Sequence, residues 1–125
     1  MYIASLAGFD VLFQDVDLTW MKDPFPVLRG IKEDMAFMDD GAKSPRFAPY
    51  FSNSGFYFVK HNERTRYLME KMLKSSVEIS FTHSHQATLM RHMIESHHVV
   101  PQGLSVLVLD LKEFPSGPKS PKIYI

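Results

Sequence analysis

Residues 11–26, VLFQDVDLTWMKDPFP, constrain the fold most. The apolar run Val11-Leu12-Phe13 is too short for a helix and follows a break at Gly8, so residues 9–14 read as a strand. It leads into Asp15-Val16-Asp17. A strand that enters a core and ends in paired charge delivers that charge to a site, because sites in α/β sheets lie beyond the carboxyl ends of strands. Upstream, Ile3, Leu6 and Ala7 have helical spacing and Gly8 suits a helix C-terminus. Helix, strand and acidic end form one αβ step, and the expectation is a mainly parallel sheet. The plainer alternative is a turn in which both aspartates cap backbone amides. Spacing alone leaves the two open.

Downstream, Asp23-Pro24-Phe25-Pro26 reads as loop, since each proline lacks a donor and restricts its predecessor; residues 30–34 continue it. Residues 34–38, DMAFM, are a second strand, ended by the turn signal Asp39-Asp40-Gly41. Residues 42–50 carry Pro45 and Pro49 without periodicity and read as irregular. GFYFV at 55–59 is a third strand, aromatic and β-branched, and Gly55 permits close passage of a backbone or ligand. Asn62 is the N-cap of a helix whose buried face is Thr65, Leu68, Met69, Met72 and Leu73, with Lys71 and Lys74 in its last turn and a Glu70–Lys74 pair. A second helix runs over about 85–96, capped by Thr82 or Ser84, with Gln86, Leu89, Met90, Met93 and Ile94 on one side; Pro101 follows it. SVLVL at 105–109 is a fourth strand, residues 116–122 read as loop, and KIYI at 122–125 as a short strand or frayed end.

The 125 residues fit a single domain over 1–125. Lys+Arg and Asp+Glu are both 14, a balance that suggests neither a nucleic-acid footprint nor a polybasic membrane patch. Cysteine is absent, so disulfides and thiolate metal sites are excluded. No apolar run reaches the roughly 18–20 residues of a membrane span, and residues 1–8 make a poor signal peptide. The chain is expected to begin inside a helix, within a larger domain. Eight Met and ten Phe spread along apolar faces read as core filling.

Two chemistries fit an Asp-x-Asp at a strand end. In the first, a cation such as Mn2+ or Mg2+ takes one or two carboxylates together with substrate phosphates and neutralises a leaving diphosphate. In the second, a phosphatase of haloacid-dehalogenase type uses the first aspartate as nucleophile and the second as acid/base. Too few residues separate Asp17 from Asp39 for the segments that second chemistry needs, and Pro24, Pro26 and Gly30 forbid a helix between them. His83, His85, His92, His97 and His98 invite a zinc reading, but His85 and His92 are far apart along the chain and no third ligand is placed.

Residues 11–26 taken with NSGFYFVKHNERT at 53–65 and LVLDLKEFPSG at 107–117 resemble the nucleotide-diphospho-sugar transferases, glycosyltransferases that include plant cell-wall xylosyl- and arabinosyltransferases. The likeness lies in an Asp-x-Asp run ending in Asp-Pro, an Asn-Ser-Gly-Phe strand, an Asn-x-x-Thr helix start and a Phe-Pro-x-Gly tail. It extends over nearly the whole chain.

The resemblance implies an α/β fold, a partial GT-A-type (Rossmann-like) sandwich with a mixed sheet flanked by helices. It implies sugar transfer from a nucleotide-sugar donor to a glycan or glycoprotein acceptor, with Mn2+ (or Mg2+) at the Asp-x-Asp. By carry-over Asp17 would ligate the metal directly, and Asp15 would contact the ribose or a metal-bound water. Asn53, Ser54 and Gly55 would line the donor or acceptor pocket. Gln86 falls where the family has Asp-Gln at a helix start, and His85 replaces that Asp, so His85 and Gln86 are the catalytic candidates. The family's upstream nucleotide-binding units and its downstream histidine segment have no counterpart in these residues. A catalytically inactive or truncated remnant that acts as a binding module is therefore the alternative. Nothing in the residues gives a compartment; the resemblance alone implies the Golgi lumen.

Overall fold

The computed structural model describes residues 2–82, 84–99 and 103–115. The expected loop at 116–122, the strand at 122–125, the turn at Pro101 and His83 lie outside them. The elements are α1 (Tyr2–Leu6), β1 (Val11–Gln14), α2 (Phe25–Gly30), β2 (Met35–Asp39), a 3-10 turn (Pro45–Phe47), β3 (Ser52–Val59), α3 (Glu63–Lys74), α4 (Ser76–Thr82), α5 (His85–Val99) and β4 (Val106–Val108). The strands form one sheet in the order β1-β3-β2-β4.

The sheet is mixed and flanked by helices, as expected. It is not mainly parallel. Both β1 and β2 pair antiparallel with β3, and among the described residues only β2 and β4 run parallel. The segment from β2 to β3 holds only a 3-10 turn and no crossover helix, so the chain returns antiparallel.

β2 is central, and all five of its residues are buried. Alternation splits its side chains between two cores. Met35 and Phe37 join Tyr57 and Val59 under Leu68, Met69 and Met72 of α3 and Leu89, Met90 and Met93 of α5. Ala36 and Met38 join Phe56 and Phe58 against Leu28 of α2, Leu109 and Phe114.

α3 starts as its sequence dictates. The Asn62 side chain accepts from the Thr65 N–H (3.1 Å), and the Thr65 hydroxyl accepts from the Asn62 N–H (3.1 Å), a reciprocal capping box. Asn62 also donates to Asp34 Oδ1 (2.8 Å). Asp34 is buried at the foot of β2, where Arg64 grips both its oxygens (2.8 and 2.6 Å) and Ser105 donates from its N–H and hydroxyl (2.9 Å each). One carboxylate thus ties β2, the start of α3 and the approach to β4. Burial pushes its pKa up, but the Arg64 and Ser105 hydrogen bonds and the Arg64 charge outweigh burial and hold it at about 2.

Several local expectations need correction. Residues 25–30, read as loop, form α2. Pro24 occupies the N-cap and Pro26 the first turn, where a missing N–H costs nothing, and Asp23 Oδ1 accepts from the Phe25 N–H (2.9 Å). A helix therefore does lie between the acidic motifs, although it is one of six residues. Residues 45–47 form a 3-10 turn within the segment read as irregular. β3 begins three residues before the expected Gly55. α4 has no counterpart among the expected elements; its apolar Val77 and Phe81 are exposed and of its apolar residues only Ile79 packs against the core, too little for a helical pattern. Leu73, assigned to the buried face of α3, is exposed, because that face rotates past the core in the last turn. Ser84 caps α5, accepting from the Ala87 N–H (3.1 Å).

Candidate functional site

The site edge follows from strand direction. β1, β2 and β4 all end at one edge of the sheet, and antiparallel β3 begins there. Asp15 and Asp17 follow β1, Asp39 and Asp40 finish β2, and Asn53, Ser54 and Gly55 open β3.

β3 is irregular at this edge. Phe37 pairs with Tyr57, yet the next residue, Met38, pairs with Asn53. Ser54, Gly55 and Phe56 therefore bulge out of the ladder with β2 while Phe56 still pairs with Gln14 of β1. Bulges re-aim side chains beside sites. Here the bulge carries the Asn-Ser-Gly motif towards β1. The Asp15 N–H donates to the Gly55 carbonyl (2.7 Å), and the Gly55 N–H donates to Asn53 Oδ1 (2.7 Å). A Cβ on residue 55 would stand 2.8 Å from Asp15 Oδ2 and 3.0 Å from Asn53 Oδ1. A side chain there would have to displace the Asp15 carboxylate, which occupies its space.

Beyond Asp15 the chain turns, with the Leu18 N–H donating to the Asp15 carbonyl (3.4 Å), and Val16 at the tip is fully exposed. Asp17 is exposed on the same turn. An open depression here is lined by Phe13, Gln14, Asp15, Val16 and Asp17. Trp20 lies further along, edge-on to Phe25, with ring centroids 5.9 Å apart.

α5 supplies the other candidates. Gln86 Nε2 donates to the Ser52 carbonyl (3.1 Å) and to Asp40 Oδ1 (3.3 Å), while its Oε1 accepts from the Ser54 hydroxyl (3.4 Å). Gln86 therefore joins the ends of β2 and β3. His85 lines a neighbouring groove of about 300 Å³ with Phe13, Tyr57, Met69, Leu73 and Ile79. Partial burial lowers the His85 pKa, and the negative charge of Asp15 opposes that shift. Burial, aided by Asp15, raises that of the Tyr57 phenol. The Phe13, Tyr57 and Phe37 rings follow one another at centroid distances of 5.1 and 5.0 Å. This aromatic row beneath the carboxylates was not anticipated as part of the site, since each ring reads from sequence as ordinary core filling.

Of the seven predicted site residues, Asp15, Asp17, Asn53, Ser54, Gly55 and Gln86 thus fall at one edge, and His85 lines the neighbouring groove. Gly55 touches both Asp15 and Asn53, and Gln86 meets Ser54. Asp40 belongs with them and was read only as a turn residue; its place at the end of a buried strand was the available signal. Two histidines of α5 are held away from this edge, and of them His92 is buried. His92 Nε2 meets the Ser75 hydroxyl (2.7 Å) and its Nδ1 meets Glu95 (2.9 Å), while His97 Nδ1 meets the Leu104 carbonyl (3.2 Å). Among the described residues no three His, Cys, Asp or Glu side chains are grouped to hold a metal. No helix of the described residues is long and apolar enough to cross a membrane.

This Rossmann-like α/β sandwich of GT-A type, with its acidic turn and Asn-Ser-Gly bulge at one edge, agrees with sequence comparison. Residues 5–122 match the model of the nucleotide-diphospho-sugar transferases, and the chain belongs to that family. It is 31% identical over 121 residues to beta-arabinofuranosyltransferase RAY1 of Arabidopsis thaliana, covering 88% of this chain and 22% of that protein. It is 52% identical over 33 residues to the UDP-D-xylose:L-fucose alpha-1,3-D-xylosyltransferase MGP4 of the same plant, covering 26% of this chain and 9% of that protein. A third relative from that plant, uncharacterised, is 26% identical over 107 residues, covering 86% of this chain and 31% of its own length. The matched regions thus span under a third of each relative. No solved structure matches the chain.

Proposed function

We propose that this glycosyltransferase-like domain binds a nucleotide-sugar through a divalent cation held by Asp15 and Asp17 and transfers the sugar to a glycan or glycoprotein acceptor. The observation that carries the reading is the Asp15 carboxylate standing 2.8 Å from where a Cβ on residue 55 would lie, beside Asn53. A glycine in the bulge of an aromatic strand, leaving room for an exposed carboxylate, supports a ligand-binding edge.

The donor set fits Mn2+ or Mg2+. Two exposed carboxylates on an open turn are hard oxygen ligands with room for water and phosphate oxygens, as expected for a cation that keeps several waters. When bound, the cation would neutralise charge on the leaving nucleoside diphosphate. Asp15 and Asp17 would anchor the donor, and Asn53, Ser54 and Gly55 would line the pocket for the transferred ring. Gln86 would orient hydroxyl groups through its amide. His85, whose pKa is lowered by partial desolvation against the opposing charge of Asp15, would be the group that accepts a proton. That proton would come from the acceptor hydroxyl as its oxygen bonds the anomeric carbon and the bond from that carbon to the phosphate oxygen breaks. The relatives named for arabinofuranosyl and xylosyl transfer point to a pentose donor, with UDP-D-xylose the first to test.

A second reading, a non-catalytic binding module, is favoured by one observation: the first residue of α5 is His85, so this helix start offers no carboxylate of its own. Thermal unfolding with Mn2+ and UDP tests the shared binding step, since a ligand selective for the native state raises Tm. The expected result is a rise that Asp17→Ala abolishes. Equal rises in both proteins would remove the cation from the aspartates. Turnover of UDP-xylose, followed by released UDP, then separates enzyme from binding module.

A further inference from the structure

One carboxylate at this edge has no role in the donor reading. Asp39 and Asp40 are adjacent in sequence but differ in their partners. Asp39 accepts from the Gly41 N–H (2.7 Å) and pairs with Lys43. Asp40 Oδ1 accepts a long bond from Gln86 Nε2 (3.3 Å), and its Oδ2 is buried with no hydrogen-bond partner among the described residues. A buried carboxylate oxygen without a donor is costly, and such groups call for an explanation beyond stability. Its backbone is held firmly: the Asp40 N–H donates to the Phe51 carbonyl (2.6 Å), and Phe51 adopts φ 51°, a left-handed conformation unusual for an aromatic residue.

The surroundings indicate what would satisfy Asp40. The Gln86 amide is shared among Ser54, Asp40 and Ser52 at 3.1–3.4 Å, and it bonds Asp40 through Oδ1 and not Oδ2. Ser54 sits in the same bulge as Gly55, which seats Asp15. A carboxylate that accepts, next to an amide that both donates and accepts, matches adjacent hydroxyls on a sugar ring. We propose that Asp40 is a sugar-binding residue of this site, with Oδ2 accepting a hydrogen bond from one ring hydroxyl while Gln86 engages its neighbour. This assignment rests on the nucleotide-sugar reading above. It also places a carboxylate beside Gln86 in a chain whose α5 begins with histidine.

The test compares the whole chain with Asp40→Asn, and with Asp40→Ala in case the asparagine amide takes over the hydroxyl. Calorimetric titrations with Mn2+ use UDP, UDP-xylose and UDP-arabinofuranose, and then L-fucose added to the UDP-bound protein. The expected result is UDP affinity within about twofold of wild type and a loss of at least about tenfold for a sugar ligand. Loss confined to a UDP-sugar assigns the donor ring, and loss confined to L-fucose assigns the acceptor ring; either supports the proposal. Unchanged sugar affinities, or a parallel loss of UDP, overturn it. Melting provides an independent arm: a residue kept for binding leaves Tm unchanged or raised in Asp40→Asn, and a lowered Tm marks a structural role and overturns the proposal. A wild-type chain that binds no UDP brings down the nucleotide-sugar reading itself, and this one with it, before any variant is compared.

Discussion

Asp15 and Gly55 are a matched pair: the carboxylate of one occupies the place where the other would carry a side chain, 2.8 Å from the position of a Cβ. The backbone closes the same contact, with the Asp15 N–H on the Gly55 carbonyl at 2.7 Å. Position 55 therefore sets where the first aspartate of the acidic turn can stand.

Gly55→Ala should displace the Asp15 carboxylate. The expected outcome is a loss of at least about tenfold in Mn2+-dependent UDP affinity, with a stability cost of only about 1 kcal/mol because the neighbours are partly exposed. Titration with and without Mn2+, beside a urea melt, separates the two effects. Wild-type affinity in the alanine variant would show that the contact does not govern binding.

Asp34 gives the fold a defined acid limit. Its folded pKa, about 2, lies below the unfolded carboxylate value of roughly 3.9. A depressed carboxylate stabilises the native state above its unfolded pKa. That stability, about 2 kcal/mol, drains away as pH falls from near 4 through about 2. Asp34→Asn should flatten this part of the stability curve in urea melts between pH 5 and pH 2, and an unchanged slope would assign the acid sensitivity elsewhere.

Arg64→Met leaves the same carboxylate buried with Ser105 and Asn62 but without its cation. The expected loss is about 3 kcal/mol near pH 7, since breaking one side of a buried pair costs more than the pair contributes. Asp34→Asn combined with Arg64→Met should recover part of that loss. A double-mutant cycle in urea measures it, and strict additivity would argue against coupling.

His92 is a packing residue in this fold, buried on α5 between the Ser75 hydroxyl and Glu95. It pins the junction of α3 and α4 against α5. His92→Ala should cost about 2–3 kcal/mol through the cavity and the stranded serine, with UDP affinity intact. An equal loss of UDP affinity would tie this corner to the site.

Much of this molecule is legible in its linear sequence because the deciding forces act over a few residues. The apolar run before Asp15, the alternation of β2, the Asn62–Thr65 capping box and the Glu70–Lys74 pair (2.8 Å) are local and appear where residue order places them. So does the acidic turn, whereas Asn-Ser-Gly lies inside β3 and not before it. Other features depend on neighbours brought from far along the chain. The prolines around Phe25 read as breakers until Leu28 is buried against the sheet, and α4 has no apolar face to announce it. Strand polarity, the bulge that carries Gly55 to Asp15, and the meeting of Asp40 with Gln86, 46 residues apart, are settled only when the strands pair. Sequence alone determined which side chains could do chemistry, since charge, glycine and caps are properties of single residues. Tertiary structure decided which of them meet, because register and strand order depend on long-range pairing that no local pattern encodes.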